Sequence, residues 1–300
     1  MKCGAAKDPV GLVGVGNMGA GMAAHLLDQG WPVQVRDLDL GKEQVLQRFG
    51  AKAHASAAQI AINSVVTIVC VVDAEQTEAV LFGPDGAAAV MQPGQAAMLC
   101  PTIAPQDVEA FAGRLAQRGV ATIDAPISGG PARARDGSMS LMLACADEVF
   151  ERHRALIDAL SSKVFRISQR PGDGARTKLV NNLLAGINLA GAAEAMALAE
   201  RLGLDLATTL DVIEQSSGQS WIGSDRMRRV IAHGGVGDYA PRAHTTLLAK
   251  DTRLATEAAE AAGFDAALGR LASATFRRAI EAGYGGEDDA SLFKLLRRPL

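Results

Sequence analysis

Short runs of β-branched and aliphatic residues recur through the first half of the chain, at 10–15, 32–36, 64–72, 95–100, 120–124, 138–144 and 163–167, and no such run follows. Helical stretches such as 17–29, 41–49 and 105–118 lie between them. Near-continuous apolar runs predict strands buried on both faces, and helices between consecutive strands predict parallel pairing. The stretch SQRPGDG (168–174) ends this pattern with proline and glycine, residues that interrupt regular structure. Beyond it, Ala, Leu and Met return at helical spacing through 175–202, 206–216, 224–233, 245–262 and 266–282. The expectation is an α/β domain with a mostly parallel, doubly wound sheet over residues 1–168, followed by an all-α domain over 169–300. The first helix of the second part, about 28 residues or some 42 Å at 1.5 Å per residue, is long enough to run from one domain to the other and to offer a dimer surface.

With 300 residues, 48% of them hydrophobic and 21% charged, the chain has enough apolar material for both domains. Thirty basic against thirty-three acidic residues, a net charge of -3, favour neither nucleic acid nor an anionic membrane surface as a partner. A small ligand is expected instead. Cys3, Cys70, Cys100 and Cys145 show no CxxC spacing, and Cys70 (VVTIVCVV) and Cys100 (QAAMLC) sit in strand-like runs, so reduced thiols of a cytoplasmic protein are expected. His25, His54, His153, His233 and His244 are scattered without a zinc-like cluster, which predicts no metal site. The start MKCGAAKDP lacks an apolar leader, and Glu194 and Glu200 interrupt the longest apolar stretch, so no membrane span is expected.

The sharpest local signal is GVGNMG, which places Gly14, Gly16 and Gly19 at GxGxxG spacing after a strand and before a helix. In a Rossmann dinucleotide turn Gly14 permits the tight bend, Gly16 lets a pyrophosphate approach the backbone, and Gly19 allows close helix–sheet packing. The amides at the helix start, around Asn17 and Met18, would bind the phosphates. Asp37 follows at the end of the second strand, eighteen residues beyond Gly19, where a carboxylate can accept hydrogen bonds from ribose hydroxyls. Its negative charge favours NAD over NADP. Arg36, which a regular strand turns to the opposite face, reads as a solvated strand-end arginine, the alternative being a shifted turn that brings it to the ribose.

Four further segments carry candidate residues. IDAPISGG (123–130) comes at the end of the strand-like run 120–124, where Ser128, Gly129 and Gly130 suit either a substrate carboxylate or a flexible turn. GARTKLVNN (174–182) puts Lys178 and Asn182 four residues apart on one helix face, and the spacing alone also fits a solvated surface lysine. LLAKDTRLA (247–255), with Lys250 and Asp251, and QSWIGS (219–224) read either as a charged helix face and a Trp-anchored turn or as segments that close over a cofactor.

Together these blocks resemble the β-hydroxyacid dehydrogenase family, which includes 3-hydroxyisobutyrate dehydrogenase, across nearly the whole chain. The glycine motif stands at 14–27, the substrate motif DAPISGG at 124–130, the GxxxKxxxN motif as GARTKLVNN and the late KDxxLA motif as KDTRLA (250–255). The resemblance implies a Rossmann domain followed by an all-helical domain, and hydride transfer between NAD and a small hydroxycarboxylic acid. It further implies that Lys178 is the catalytic acid/base, Asn182 orients the substrate, and Ser128, Gly129 and Gly130 hold its carboxylate. Thr102, in CPTIAP, falls beside the nicotinamide, Lys250 and Asp251 lie next to the site, and homodimers or homotetramers form through the helical half. LLAGINLAGAAEAMALA (183–199), SGQSW (217–221), YAPR (239–242) and AGYGGEDDA (282–290) look most like the L-threonate dehydrogenases. Semialdehyde reductases, 3-hydroxyisobutyrate dehydrogenases and a non-catalytic NAD-binding protein are the alternatives. The chain departs from the family at Val72 and Asp73, where Leu-Pro is common, at Pro101, where serine precedes the threonine, and at His25; Val72, Asp73 and Pro101 sit in loops that would touch the cofactor.

Overall fold

A computed structural model describes residues 7–232 and 237–297, so Cys3 and His233 lie outside the described residues. The chain divides into two compact units, one ending at Lys178 and one beginning at Leu179.

In the first unit the alternation of strand and helix is realised as β1 (Val10–Val13), α1 (Asn17–Asp28), β2 (Val33–Arg36), α2 (Leu40–Gln47), β3 (Lys52–Ala53), α3 (Ala57–Ile62), β4 (Val66–Val69), α4 (Ala74–Phe82), β5 (Ala96–Leu99), α5 (Pro105–Ala116) and β6 (Ala121–Asp124). It continues with β7 (Ile127–Ser128), α6 (Gly130–Asp136), β8 (Ser140–Ala144), α7 (Asp147–Leu160) and β9 (Lys163–Ser168). The strands form one sheet in the order β3-β2-β1-β4-β5-β6-β8-β7, with β9 against β8. Pairing is parallel from β3 through β6 and between β8 and β9; β8 runs antiparallel to β6 and β7. The expected mostly parallel, doubly wound sheet is therefore present.

Period-2 alternation explains why both faces are covered. Val10 and Leu12 of β1, Val66 and Ile68 of β4 and Met98 of β5 pack in one cluster with Met22 and Leu26 of α1 and Leu156 and Ile157 of α7. Val13, Val69 and Leu99 face the other way, into a cluster with Ile60, Leu81, Phe111 and Leu115. Because β1 lies between β2 and β4, the chain reverses direction across the sheet there, and the strand ends beside β1 open the crevice where ligands bind in such sheets.

The second unit is helical: α8 (Asp173–Arg201) enters it from the first, followed by α9 (Leu206–Glu214), α10 (Trp221–Ile231), α11 (Thr245–Ala261), α12 (Ala267–Ala279) and α13 (Leu292–Leu296). Leu189, Ala193 and Met196 of α8 recur at three- and four-residue spacing and share a core with Leu210, Met227, Leu248, Phe276 and Phe293. The glutamates at 194 and 200 do not keep α8 short of membrane-span length and hydropathy, contrary to expectation: an 18-residue window reaches a mean hydropathy of 1.3, with 39% of it buried. Glu194 is exposed and falls outside the buried stripe, so it interrupts the sequence run without interrupting the helix.

Candidate active site

The three glycines of the first turn have three distinct physical reasons. Gly14 has φ 91°, and a Cβ there would stand 2.5 Å from the Cys70 carbonyl oxygen, so glycine lets β1 turn hard against the end of β4. At Gly19 a Cβ would lie 2.0 Å from the Gly14 carbonyl oxygen, and only its absence lets α1 begin directly beneath the turn. Gly16 is different. A Cβ there meets nothing within 4 Å, and no side chain caps α1 at that residue. Open space at Gly16, at a helix start without a side-chain cap, is what the approach of a diphosphate to the first-turn amides of Asn17 and Met18 requires. These residues fit a dinucleotide.

Asp37 stands one residue beyond β2. Its Oδ2 accepts the Val15 N–H at 2.8 Å and its Oδ1 the Asp39 N–H at 2.9 Å, which ties the carboxylate to the glycine turn. Arg36 is only partly exposed, not the freely solvated arginine the sequence suggests. Its Nη1 donates to Glu43 Oε1 at 3.0 Å and to the Asp37 carbonyl oxygen, while the same Glu43 oxygen accepts the Asp37 N–H at 2.8 Å. Glu43 is buried, so the guanidinium is drawn back against α2.

Val72 and Asp73 follow β4. Asp73 Oδ1 accepts the Gln76 N–H at 2.9 Å and Gln76 Oε1 accepts the Val72 N–H at 3.1 Å, a reciprocal cap on α4. These two departures from the family pattern thus have a local role at the helix start. Thr102 lies in the turn between β5 and α5, partly buried. Ser128 closes β7, and Gly129 and Gly130 follow with φ 132° and 78°, conformations that favour glycine. Gly130 faces open space at its missing Cβ.

Asp124, at the end of β6, was not singled out by its sequence pattern beyond the motif that contains it. Its Oδ2 accepts the N–H of Gly172 at 2.7 Å and of Ala175 at 3.2 Å, across the start of α8. Burial pushes its carboxyl up to about 6, against the pull of these amides.

Lys178 and Asn182 sit one turn apart on α8, 6% and 7% exposed, whereas the adjacent Val180 and Leu184 are exposed. The surface-lysine alternative therefore does not hold. Asn182 Nδ2 donates to Asp251 Oδ2 at 2.6 Å, and Asn182 Oδ1 accepts from Asn181 Nδ2 at 2.9 Å, so both ends of the carboxamide are engaged. Lys250 Nζ stands 3.0 Å from Asp251 Oδ1 as its counter-charge. Two motifs 69 residues apart meet in this contact. Trp221 begins α10, where Ser220 Oγ caps the helix by accepting the Gly223 N–H at 3.1 Å. Burial raises the thiols of Cys70, Cys100 and Cys145, all three free, which keeps them protonated and unreactive.

Residues 9–168 match the NAD binding domain of 6-phosphogluconate dehydrogenase, and residues 172–296 the NAD-binding domain of NADP-dependent 3-hydroxyisobutyrate dehydrogenase. The L-threonate dehydrogenase of Cupriavidus necator is 39% identical over 95% of this chain and 95% of its own length. The chain belongs to the 3-hydroxyisobutyrate dehydrogenase-like family of β-hydroxyacid dehydrogenases. An NAD-dependent L-serine dehydrogenase of Pseudomonas aeruginosa is 32% identical over 95% of this chain and 97% of its own. The crystal structure of a 3-hydroxyisobutyrate dehydrogenase from Salmonella typhimurium superposes with a TM-score of 0.89 at 38% identity, covering 96% of this chain and 100% of that one. As a β-hydroxyacid dehydrogenase the chain is an NAD-binding oxidoreductase acting on a small hydroxy acid. Within it, YAPR (239–242) and AGYGGEDDA (282–290) are joined by Asp288, whose Oδ2 accepts the Arg242 N–H at 2.8 Å and whose Oδ1 accepts from Arg229 Nη2 at 2.8 Å. Arg226 Nε donates to the neighbouring Asp289 at 2.5 Å. This buried ion network fixes the second unit's C-terminal segment against α10.

Proposed function

We propose that the chain oxidises one hydroxyl of a small polyhydroxy monocarboxylic acid with NAD, and that L-threonate is that acid. The observation that carries this reading is the pair Lys178 and Asn182, buried on one helix face with the Asn182 carboxamide locked by Asp251. When bound, NAD accepts the hydride from the carbinol carbon. Neutral Lys178 takes the hydroxyl proton in oxidation, and its charged form returns a proton in reduction. Asn182 fixes the hydroxyl, and the amides at Ser128, Gly129 and Gly130 take the carboxylate, so orientation is supplied before the chemistry begins. Gly14, Gly16, Asn17, Met18 and Gly19 carry the diphosphate. Asp37 takes the ribose, and the loops at Val72, Asp73 and Thr102, with Lys250 and Asp251, complete the cofactor contacts. Residues 169–300 supply the substrate and assembly surfaces of a homodimer or homotetramer.

NADH formation at alkaline pH across L-threonate, D-threonate, D-glycerate, 3-hydroxyisobutyrate and L-serine, with NAD and NADP in parallel, tests the reading. Turnover of L-threonate with NAD is expected. Preference for glycerate with NADP, or NAD binding without turnover on any acid, overturns it.

Cofactor choice has its own test. Asp37→Asn keeps an acceptor for Val15 but removes the charge that repels a 2′-phosphate, so the NADP-to-NAD ratio of kcat/KM is expected to rise about tenfold, equivalent to about 1.4 kcal/mol. An unchanged ratio would remove Asp37 from cofactor selection.

A further inference from the structure

We propose that Asp124 is a positioning residue of the active site: its buried carboxylate grips the first turn of α8 and thereby fixes where that helix carries Lys178. The inference rests on the reading of Lys178 as the proton carrier.

A helix start leaves N–H groups without intrahelical partners, and a side chain just before the helix usually accepts one of them. In α8 the residue just before the helix is Gly172, which has no side chain to offer, and the first helical residue, Asp173, is turned elsewhere. Its carboxylate takes Ser168 Oγ at 2.8 Å, Arg170 Nη2 at 2.8 Å and Arg176 Nη1 at 3.0 Å. The amides of Gly172 and Ala175 are bound instead by Asp124 from the end of β6, 48 and 51 residues earlier in the chain. Gly174 permits this approach, because a Cβ there would stand 2.9 Å from Asp124 Cγ and Oδ1 and 2.7 Å from the Met142 carbonyl oxygen. Lys178 follows Gly174 by four residues, about 6 Å along the helix. A carboxylate on a central sheet strand thus sets the origin of the helix, and the helix sets the position of the ammonium.

The placement carries a cost in stability. Burial holds the Asp124 carboxyl up at about 6, so the folded protein keeps its proton more tightly than the unfolded chain does. Its favourable contribution is therefore present at low pH and is lost as pH rises through about 6. Asp173 on α8 adds a like charge, and the thiols of Cys100 after β5 and Cys145 after β8 face it as neutral groups. A neutral amide would escape this penalty but offers the same N–H groups a weaker acceptor, so the charge is explained by the firmer anchoring of the helix start.

The test is the pH profile of kcat in the reducing direction, from pH 5 to 8, using the oxo acid formed from the best substrate of the panel. Charged Lys178 is the required form there, so acid does not disable it, and an acid limb reports another group. Wild-type kcat is expected to fall about tenfold from pH 7 to pH 5. Asp124→Asn is expected to give a flat profile about tenfold below wild type at pH 7, with NADH affinity within twofold and a thermal midpoint at pH 8 no lower than wild type. A flat wild-type profile, or Asp124→Asn within twofold of wild-type kcat at pH 7, overturns the proposal. If Asp124→Asn does not fold, the wild-type enzyme decides: an acid limb accompanied by movement of the Gly172 and Ala175 amide resonances over the same pH range supports the proposal, and a limb without that movement overturns it. Lys178→Ala is run alongside. If it keeps turnover, the Lys178 reading fails; if it is inactive while Asp124→Asn matches wild type, only the positioning role fails.

Discussion

Lys178→Ala is expected to lower kcat for hydroxy-acid oxidation by about 10²–10⁴-fold, the usual worth of a positioned general base, while NAD affinity stays within a few-fold of wild type. The separation of the two effects follows from where the residue sits. Lys178 lies on α8, and the glycine turn, Asp37 and the α4 cap belong to the ends of β1, β2 and β4, so removing the amine leaves the segments proposed to hold the dinucleotide in place. Lys178→Arg is expected to be nearly as inactive, because a guanidinium stays charged across the accessible pH range and cannot take the hydroxyl proton. Because oxidation needs the neutral amine, wild-type oxidation is expected to quicken toward alkaline pH, and Lys178→Ala to lose that dependence. Stopped-flow single turnovers and equilibrium NADH fluorescence measure the two quantities independently. Wild-type kcat in Lys178→Ala would remove the residue from the chemistry.

What could be read in advance from the sequence was what depends on local spacing. GVGNMG and Asp37 lie within one strand–helix–strand unit, so their placement side by side follows from the turn geometry that such a unit imposes. Lys178 and Asn182 share a face because a helix repeats every 3.6 residues, whatever surrounds it. Long-range partners were not legible. Nothing within KDTRLA says that Asp251 meets Asn182, and nothing within DAPISGG says that Asp124 reaches Gly172, since both contacts depend on packing between elements far apart in sequence. Arg36 read as solvated for the same reason: its partner Glu43 lies on the next helix, across a turn whose geometry the spacing does not define. Some signals were present but unused. Asp73 and Gln76 form a recognisable capping pair ahead of α4, and Val149, His153, Leu156, Ile157 and Leu160 mark the buried stripe of α7 inside a strongly charged stretch. The strands at 52–53 and 127–128 are two residues long, too short for any period to show.

The paired substitutions Gly16→Ala and Gly19→Ala separate what the glycine turn does for the fold from what it does for the ligand. A methyl at Gly19 would stand 2.0 Å from the Gly14 carbonyl oxygen, which is backbone and cannot swing aside. The helix start or the turn must shift, at a cost typical of overpacking, about 1–3 kcal/mol. In a unit of this size each kcal/mol lowers the thermal midpoint by about 2–4 °C, so Gly19→Ala is expected to melt several degrees below wild type and to bind NAD poorly as well. A methyl at Gly16 meets no protein atom within 4 Å, and φ is -67° there, a value that alanine adopts freely. Gly16→Ala is therefore expected to melt with wild type when NAD is absent. Its defect is expected only with the cofactor, as a Kd for NAD raised at least about tenfold, or about 1.4 kcal/mol, because the added carbon occupies the space through which the diphosphate reaches the backbone. Thermal unfolding with and without NAD distinguishes the two cases in one experiment. A Gly16→Ala protein stabilised by NAD as fully as wild type would mean that the dinucleotide does not pass over this turn.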